Sequence, residues 1–368
     1  MSQSDRLCLS SGSVLALTDD SCGLVHQLVR HYAQASHWII AGGSPCQGLS
    51  SANQEGRGFG DHRSVLIWTL PVVISTVARL ISLHESSAQV HFIVENVIPR
   101  TLRQRQAIDA LFQTSANRID NGTFSGISRP RLWWLSFPLL PPVAPDRFDP
   151  ATFLSPGWRP LWELVDNFSW ARRFGTRLRP CDPGEPLEFP VPWRRFPLSM
   201  YGLNHLAYRP SATATDLEDL RFRVKEGITS APSDDLRPPR CIPDAIIRRG
   251  LFARWLHLEG GSSICRCLSI NEVEVGMGYP IGHTSLPPSP PTSDEDETEW
   301  LRHSLIGNSF AVQTMSFVLS GLSAIFQDTG HPPPRRDLTS LAASREAAIR
   351  TLSSTSTASW SLPSNAAH

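Results

Sequence analysis

The sequence predicts an α/β fold built on a mostly parallel sheet, and three observations carry that expectation. Short apolar runs alternate with longer helical patterns over residues 1–140, as they do in βαβ units. Two of those runs end directly in small or polar residues, at Ala41-Gly42-Gly43 and at Val94-Glu95-Asn96. Apolar residues make up 40% and charged residues 18% of the 368-residue chain, which suits one large domain with a core plus a smaller one.

Taken in order, His37 to Ala41 reads as a short strand and Ser64 to Leu83 as a mainly apolar helix kinked at Pro71. His91 to Val94 reads as a second buried strand, Thr101 to Phe112 as an Arg/Gln-faced helix, and Leu132 to Phe137 as a third strand. Residues 141–262 change character: prolines, tryptophans and arginines are frequent and periodicity is weak, as in a second, irregular domain or a large insertion. Residues 285–299 (SLPPSPPTSDEDETE) read as a mobile, acidic, proline-rich loop. Proline, serine, threonine and alanine dominate 329–368, where a disordered tail with at most a short helix near 341–352 is expected.

The bulk properties exclude some classes. No run of 18 uninterrupted apolar residues exists, so no membrane span is expected, and the N-terminus MSQSDRLCLSSGSVLAL lacks the basic head of a signal peptide. Net charge is zero, which is neutral on nucleic acid, and Lys225 is the one lysine among 34 basic residues. Seven cysteines form no regular framework, so a reduced, intracellular setting is expected, nuclear in a eukaryote and cytoplasmic otherwise. Cys265-Arg266-Cys267 is too closely spaced for a zinc pair, and no metal site is expected.

Three short stretches concentrate reactive groups. Gly42-Gly43-Ser44-Pro45-Cys46-Gln47 places a thiol just past one strand, and Glu95-Asn96 places a carboxylate just past another. In open parallel sheets ligands bind outside the carboxyl ends of the strands, so both would face one crevice. Ser128-Arg129-Pro130-Arg131 brings two guanidinium groups, although it enters a strand rather than leaving one. Each stretch has a plainer reading: a small buried thiol, a turn or helix cap, a solvated basic pair. Their combination in repeated strand–loop settings favours a site.

GGSPCQGLS, GFGDHRSVL, FIVENV and SRPRLWWL resemble, in order, the characteristic blocks of cytosine-5 DNA methyltransferases, closest in wording to the animal de novo type. Arg266 to Pro280 resembles the block that supports the target-recognition domain, and Leu305 to Val312 the final cofactor-side block. The resemblance spans residues 7–325. It implies a class I S-adenosylmethionine-dependent, Rossmann-like sheet, here lacking its first βαβ portion, with a smaller irregular target-recognition domain. Residues 1–140 would be the partial catalytic domain, 141–262 the recognition region and 263–328 the returning catalytic blocks.

The resemblance also implies roles. Cys46 would attack carbon 6 of a flipped cytosine, which turns the ring into an enamine able to take a methyl group at carbon 5. Glu95 would bind the ring at nitrogen 3 as a carboxyl whose protonation burial favours, and Asn96 would hold the glutamate's loop. Arg131 would polarise the ring carbonyl and Arg129 would hold a backbone phosphate. Pro45 would shape the loop, Gln47 would fill the space vacated by the base, and Ser50 would open a mobile lid reaching Asp61. The cofactor would be S-adenosylmethionine, lined by Leu66, Asn308 and Ser309, with Ser13-Val14 standing where the family has an acid and a hydrophobic residue. Duplex DNA would be the partner.

The glycine-rich turn that carries the methionine part of the cofactor, and the acid that holds its ribose, have no counterpart in the 45 residues before Cys46. Three accounts stand open: a fragment or incomplete gene reading, a degenerate relative, or a split enzyme completed by a partner chain. On any of them the 368 residues alone are expected to bind the cofactor weakly. Two other functions stay open as well, a transfer-RNA cytosine-5 methyltransferase and a non-catalytic methyltransferase-like regulator.

Overall fold

The computed structural model describes residues 24–50, 57–61, 63–84, 88–140, 154–160, 196–197, 206–208, 214–215, 217–218, 265–285, 295–326, 337–344 and 348. The chain divides into two compact units, one of Met1–Asn117, Arg131–Pro138 and Ala324–His368, the other of Arg118–Pro130 and Leu139–Ser323. Residues on both sides of position 263, where a boundary was expected, fall in the second unit.

In the first unit, helix α1 (Leu24–His31) and helix α2 (Leu70–Leu83) flank strand β1 (His37–Gly43) in sequence. Val25 and Val29 of α1 share a cluster with Val77, Leu80 and Ile81 of α2, three and four residues apart as one helical face requires. Pro71 does not kink a long helix. Ser64–Thr69 winds as a 3-10 turn and Pro71 lies in the first turn of α2, where its missing N–H has no partner to lose. The stretch Leu66–Leu83 has the length and apolar composition of a membrane span, and most of it is buried in this core.

Strand β2 (Gln89–Asn96) runs parallel to β1, with Gly43 opposite Glu95. Helix α3 (Leu102–Phe112) starts at a capping box: Gln104 N donates to Thr101 Oγ1 at 3.2 Å, and Thr101 N donates to Gln104 Oε1 at 3.3 Å. The chain leaves this unit along β3 (Asn117–Asp120) and returns in β5 (Pro130–Leu135). β5 is antiparallel to β2, so the sheet is mixed rather than mostly parallel. The link from 121 to 129 contains only a 3-10 turn and the two-residue strand β4 (Ile127–Ser128). That is too little for a helical crossover, so the chain re-enters from the end it had just reached.

Phe92, Phe112 and Trp134 form a run of tilted rings at 5.7 and 6.0 Å in a core that includes Ile74, Ile108 and Leu111. Trp134 Nε1 donates to Asp109 Oδ1 at 2.6 Å. Burial pushes that carboxyl above its ordinary value, against the hydrogen bonds from Trp134 and Ala116 and the charge of Arg105. Part of the expected tail also belongs to this core. Leu338, Leu341 and Ala348 are buried in it, Ser75 Oγ donates to Leu338 O at 3.1 Å, and Gln113 Nε2 donates to Ser344 Oγ at 2.6 Å. The serine- and alanine-rich composition reads as disorder, but these three positions recur at helical spacing and so bury one face.

In the second unit, β6 (Arg159–Pro160), β8 (Leu206–Tyr208) and β9 (Cys265–Cys267) form an antiparallel sheet in that order, and β4 pairs with β7 (Phe196–Pro197) in parallel. Helix α4 (Ile270–Gly276) opens with a Ser269/Glu272 capping box. Helix α5 (Glu295–Asn308) takes up the end of the segment expected as a loop, and α6 (Val312–Ser320) follows it. Ile127, Leu154, Leu268, Val273, Met277 and Ile306 pack in one core, which joins residues from both sides of position 263.

Candidate active site

The site of the first unit starts from strand register. Because Gly43 and Glu95 are paired, the chain leaving β1 and the last residues of β2 meet at one end of the sheet. Glu95 and Asn96 are strand residues, not the loop expected from the sequence. The antiparallel register of β5 sets Trp133 opposite Glu95 and Leu132 opposite Asn96. A segment that enters its strand thereby reaches the same end as two that leave theirs. Arg131, just before that pair, places Nε 2.9 Å from Glu95 Oε1, with both side chains mostly shielded. The two charges offset one another, so the carboxylate at this sheet end is paired rather than lone.

Asn96 ties the cysteine loop to β2. Fully buried, it donates through Nδ2 to Ser44 Oγ at 2.7 Å and accepts from Val97 N at 2.8 Å. Its role is therefore wider than the expected one: it holds the residue before Pro45 as well as its own turn. After half-buried Pro45, Cys46 O accepts from Leu49 N at 3.0 Å and Ser50 N at 2.9 Å, which closes a turn. Leu49 is fully buried in the core, and Cys46 packs at its edge with its thiol free of any disulfide. Gln47 is half-buried in the same turn, and Ser50 bridges to Pro99.

Gly48 has a steric reason to be glycine. A Cβ there would lie 2.3 Å from Ser64 Oγ, 2.5 Å from Asp61 Cβ and 2.9 Å from Gly58 O. The segment from 58 to 64 therefore lies directly on the cysteine turn, and Gly58 N donates to Gly48 O at 2.9 Å. Residues 51–56 of the expected lid lie outside the described residues. Its far end is anchored, with Phe59 buried and 5.1 Å from the Trp68 ring. Asp61 grips Arg63 there: Arg63 Nε and Nη2 reach the two carboxylate oxygens at 3.0 and 2.8 Å. The sequence reading did not single out this pair. The Asp-x-Arg spacing just after the glycine turn was its only available signal.

Arg129 lies in the second unit. It is 6% exposed, and its Nη2 donates to Gly307 O at 2.9 Å and Ser309 O at 2.7 Å. Its amide donates to Asp120 Oδ1 at 2.7 Å, while Ser128 Oγ donates to Asp120 Oδ2 at 2.8 Å. Those contacts tie Arg129 to the other residues of its own unit. Asn308 ends α5 in the same unit, and Ser309 Oγ donates to Ile306 O at 2.9 Å. Leu66 lies half-buried in the first unit, and Ser13 and Val14 lie outside the described residues. No protein-family model matches the chain, and no curated protein matches it.

Proposed function

We propose that this chain is the catalytic part of a cytosine-5 DNA methyltransferase that acts on a cytosine turned out of duplex DNA. One observation supports this above the order of the sequence blocks. Asn96 ties Ser44, just before the Pro45-Cys46-Gln47 turn, to the end of β2, where Arg131 pairs with Glu95. A soft thiol and a carboxylate–guanidinium pair are the groups that nucleophilic addition to a pyrimidine requires.

In this reading the Cys46 thiolate adds to carbon 6. The sulfur–carbon bond forms as the electron pair of the 5,6 double bond moves to carbon 5, and Arg131 and Glu95 hold the ring's polar edge. Asn96 keeps the turn at a fixed height relative to Glu95. Once carbon 5 carries the methyl group that a bound donor would supply, loss of its proton to solvent expels the thiolate and restores the double bond. S-adenosylmethionine is the methyl donor this reaction class uses. Ser309 uses its hydroxyl on Ile306 and its carbonyl on Arg129, and Ser13 and Val14 lie outside the described residues. The mechanism is therefore confined to what the chain does to the base.

The test is trapping. Duplex DNA carrying 5-azacytosine, whose ring can be trapped by protonation without methyl transfer, mixed with the full chain should give a covalent adduct mapped to Cys46. Cys46→Ser should abolish the adduct, and Glu95→Gln should slow it by about 100-fold, the range of a lost acid–base group, while duplex binding persists. An adduct that survives in Cys46→Ser removes the assignment. Measurable duplex binding with no adduct under any condition would favour the regulator instead.

A further inference from the structure

We propose that the surface formed by α2 and the end of α3 is a binding groove for a short amphipathic helix. Residues 338–348 occupy it as a tethered ligand, and an equivalent helix from another molecule can take their place. This holds whatever reaction Cys46 performs. Leu338, Leu341, Ser344 and Ala348 stand three, three and four residues apart, and each is at most 7% exposed, so one helical face is buried. The leucines and Ala348 share a core with Ile74 and Ala78 of α2 and with Ile108 and Leu111 of α3.

Polar groups at the rim read the segment in detail. Leu338 O and Ala342 N are four residues apart, the pair that an α-helix joins directly. The buried Ser75 hydroxyl stands between them, donating to the carbonyl at 3.1 Å and accepting from the amide at 2.8 Å. Gln113, the left-handed residue that ends α3, reads the side chains. Its Nε2 donates to Ser340 Oγ at 3.3 Å and to Ser344 Oγ at 2.6 Å. Asp337 Oδ1 accepts from the Thr339 amide at 2.9 Å and so starts the turn. The groove therefore selects a helix of the pattern Leu-x-x-Leu-x-x-Ser-x-x-x-Ala.

The manner of attachment marks a ligand rather than a wall of the core. Among the described residues the segment adds no strand to the β1-β2-β5-β3 sheet, and Ser75 and Gln113 hold it through side chains. Residues 327–336 tether it to Phe326. Two buried leucines, an alanine and a few hydrogen bonds are set against the ordering of about a dozen residues. Those terms are of similar size, so docking is reversible.

The experiment uses the full chain and a labelled peptide of residues 335–352, with binding read by fluorescence anisotropy. The unsubstituted chain should bind the peptide at least about 100-fold more weakly than Leu341→Asp, because its own tethered helix competes at a roughly millimolar effective concentration. Adding Ser75→Ala to the Leu341→Asp chain should weaken the peptide about fivefold, as the loss of one hydrogen bond does. A peptide carrying Leu338→Asp should not bind. Hydrogen exchange of the unsubstituted chain gives an independent reading. The amides of 338–348 should exchange together, about 100-fold faster than those of α2 and α3, because local opening releases them as a unit. The proposal is overturned if the peptide does not bind Leu341→Asp, if it binds both chains equally, or if 338–348 exchanges at the pace of α2 and α3. Loss of the urea unfolding transition in Leu341→Asp overturns it as well, since a ligand leaves without unfolding its host.

Discussion

Arg129 and Arg131 stand two residues apart in one Ser-Arg-Pro-Arg stretch, yet they belong to different units and are used differently. Arg129 is almost wholly buried and is consumed by two backbone carbonyls. Arg131 faces one carboxylate at a sheet end that stays partly open to solvent. The same contrast separates Glu95, with 12% of its side chain exposed, from fully buried Glu274. Glu274 accepts from Gly282 N at 2.6 Å, Thr284 N at 2.8 Å and Arg302 Nη2 at 3.0 Å, and also from the Thr284 hydroxyl. The network around Glu274 in the second unit holds a loop and a helix together.

The largest expected effect lies in the closed network. Burial alone would raise the Glu274 carboxyl, but hydrogen bonds from Thr284, Arg302 and Gly282 hold it below the usual carboxylate range. Glu274→Ala should therefore cost about 3–5 kcal/mol, as removal of one partner from a buried pair does, read as an earlier urea midpoint. In the wild type this contribution is present above the unfolded carboxylate value and is lost as pH falls through the lowered folded one. A loss below about 1 kcal/mol, the level of a surface pair, would erase the contrast between the two regions.

Next come the two arginines themselves. Arg129→Gln should cost about 2–3 kcal/mol, because carbonyls that had charged donors are left wanting. Arg131→Gln should cost about 1–2 kcal/mol, less than Arg129→Gln because the Glu95 side chain left behind keeps 12% of its surface exposed, while adduct formation falls steeply. Equal stability losses from the two would mean that both are braces. A smaller effect of similar origin is expected at Gly48→Ala. The methyl group must push the residues around Gly58, Asp61 and Ser64 off the cysteine turn, at about 1–3 kcal/mol, read as an earlier urea midpoint.

The smallest effect concerns pH. His91 is buried in β2 with Nε2 3.3 Å from His37 Nδ1, and burial, followed by the charge of His37, holds it below its ordinary value. A lowered folded value means that the unfolded chain takes up the proton first. Stability should be full above about pH 6.5 and fall as pH drops through that value. His91→Gln should flatten the melting temperature between about pH 6.5 and 5. An unchanged slope would remove the histidine pair as its source.

Much of the first unit was legible because local rules carry it. The apolar runs at His37 and His91 are strands, and Thr101 with Gln104 marks a helix start that the structure realises as a capping box. Cys46, Glu95 and Asn96 were picked out from their places at strand ends, and the parallel register brings those ends together. Pro71, the mixed sheet and the buried segment at 338–348 were not legible. The first depends on where a helix nucleates, the second on how a short link turns, and the third on a face that buries only when a distant core is there to receive it.

By itself, then, the sequence determined which residues are reactive and which strands deliver them, because side-chain chemistry and strand periodicity are local properties. It also determined that a glycine-rich turn surrounds the thiol. Tertiary structure decided which charges remain available. Arg129 and Arg131 are identical in sequence terms, and only the carbonyls of Gly307 and Ser309, remote along the chain, take one of them out of use. Arg63 is the converse case, an exposed surface residue by pattern that both carboxylate oxygens of Asp61 hold in place. Electrostatic effects depend on distance and burial, and neither is fixed until the chain has closed on itself.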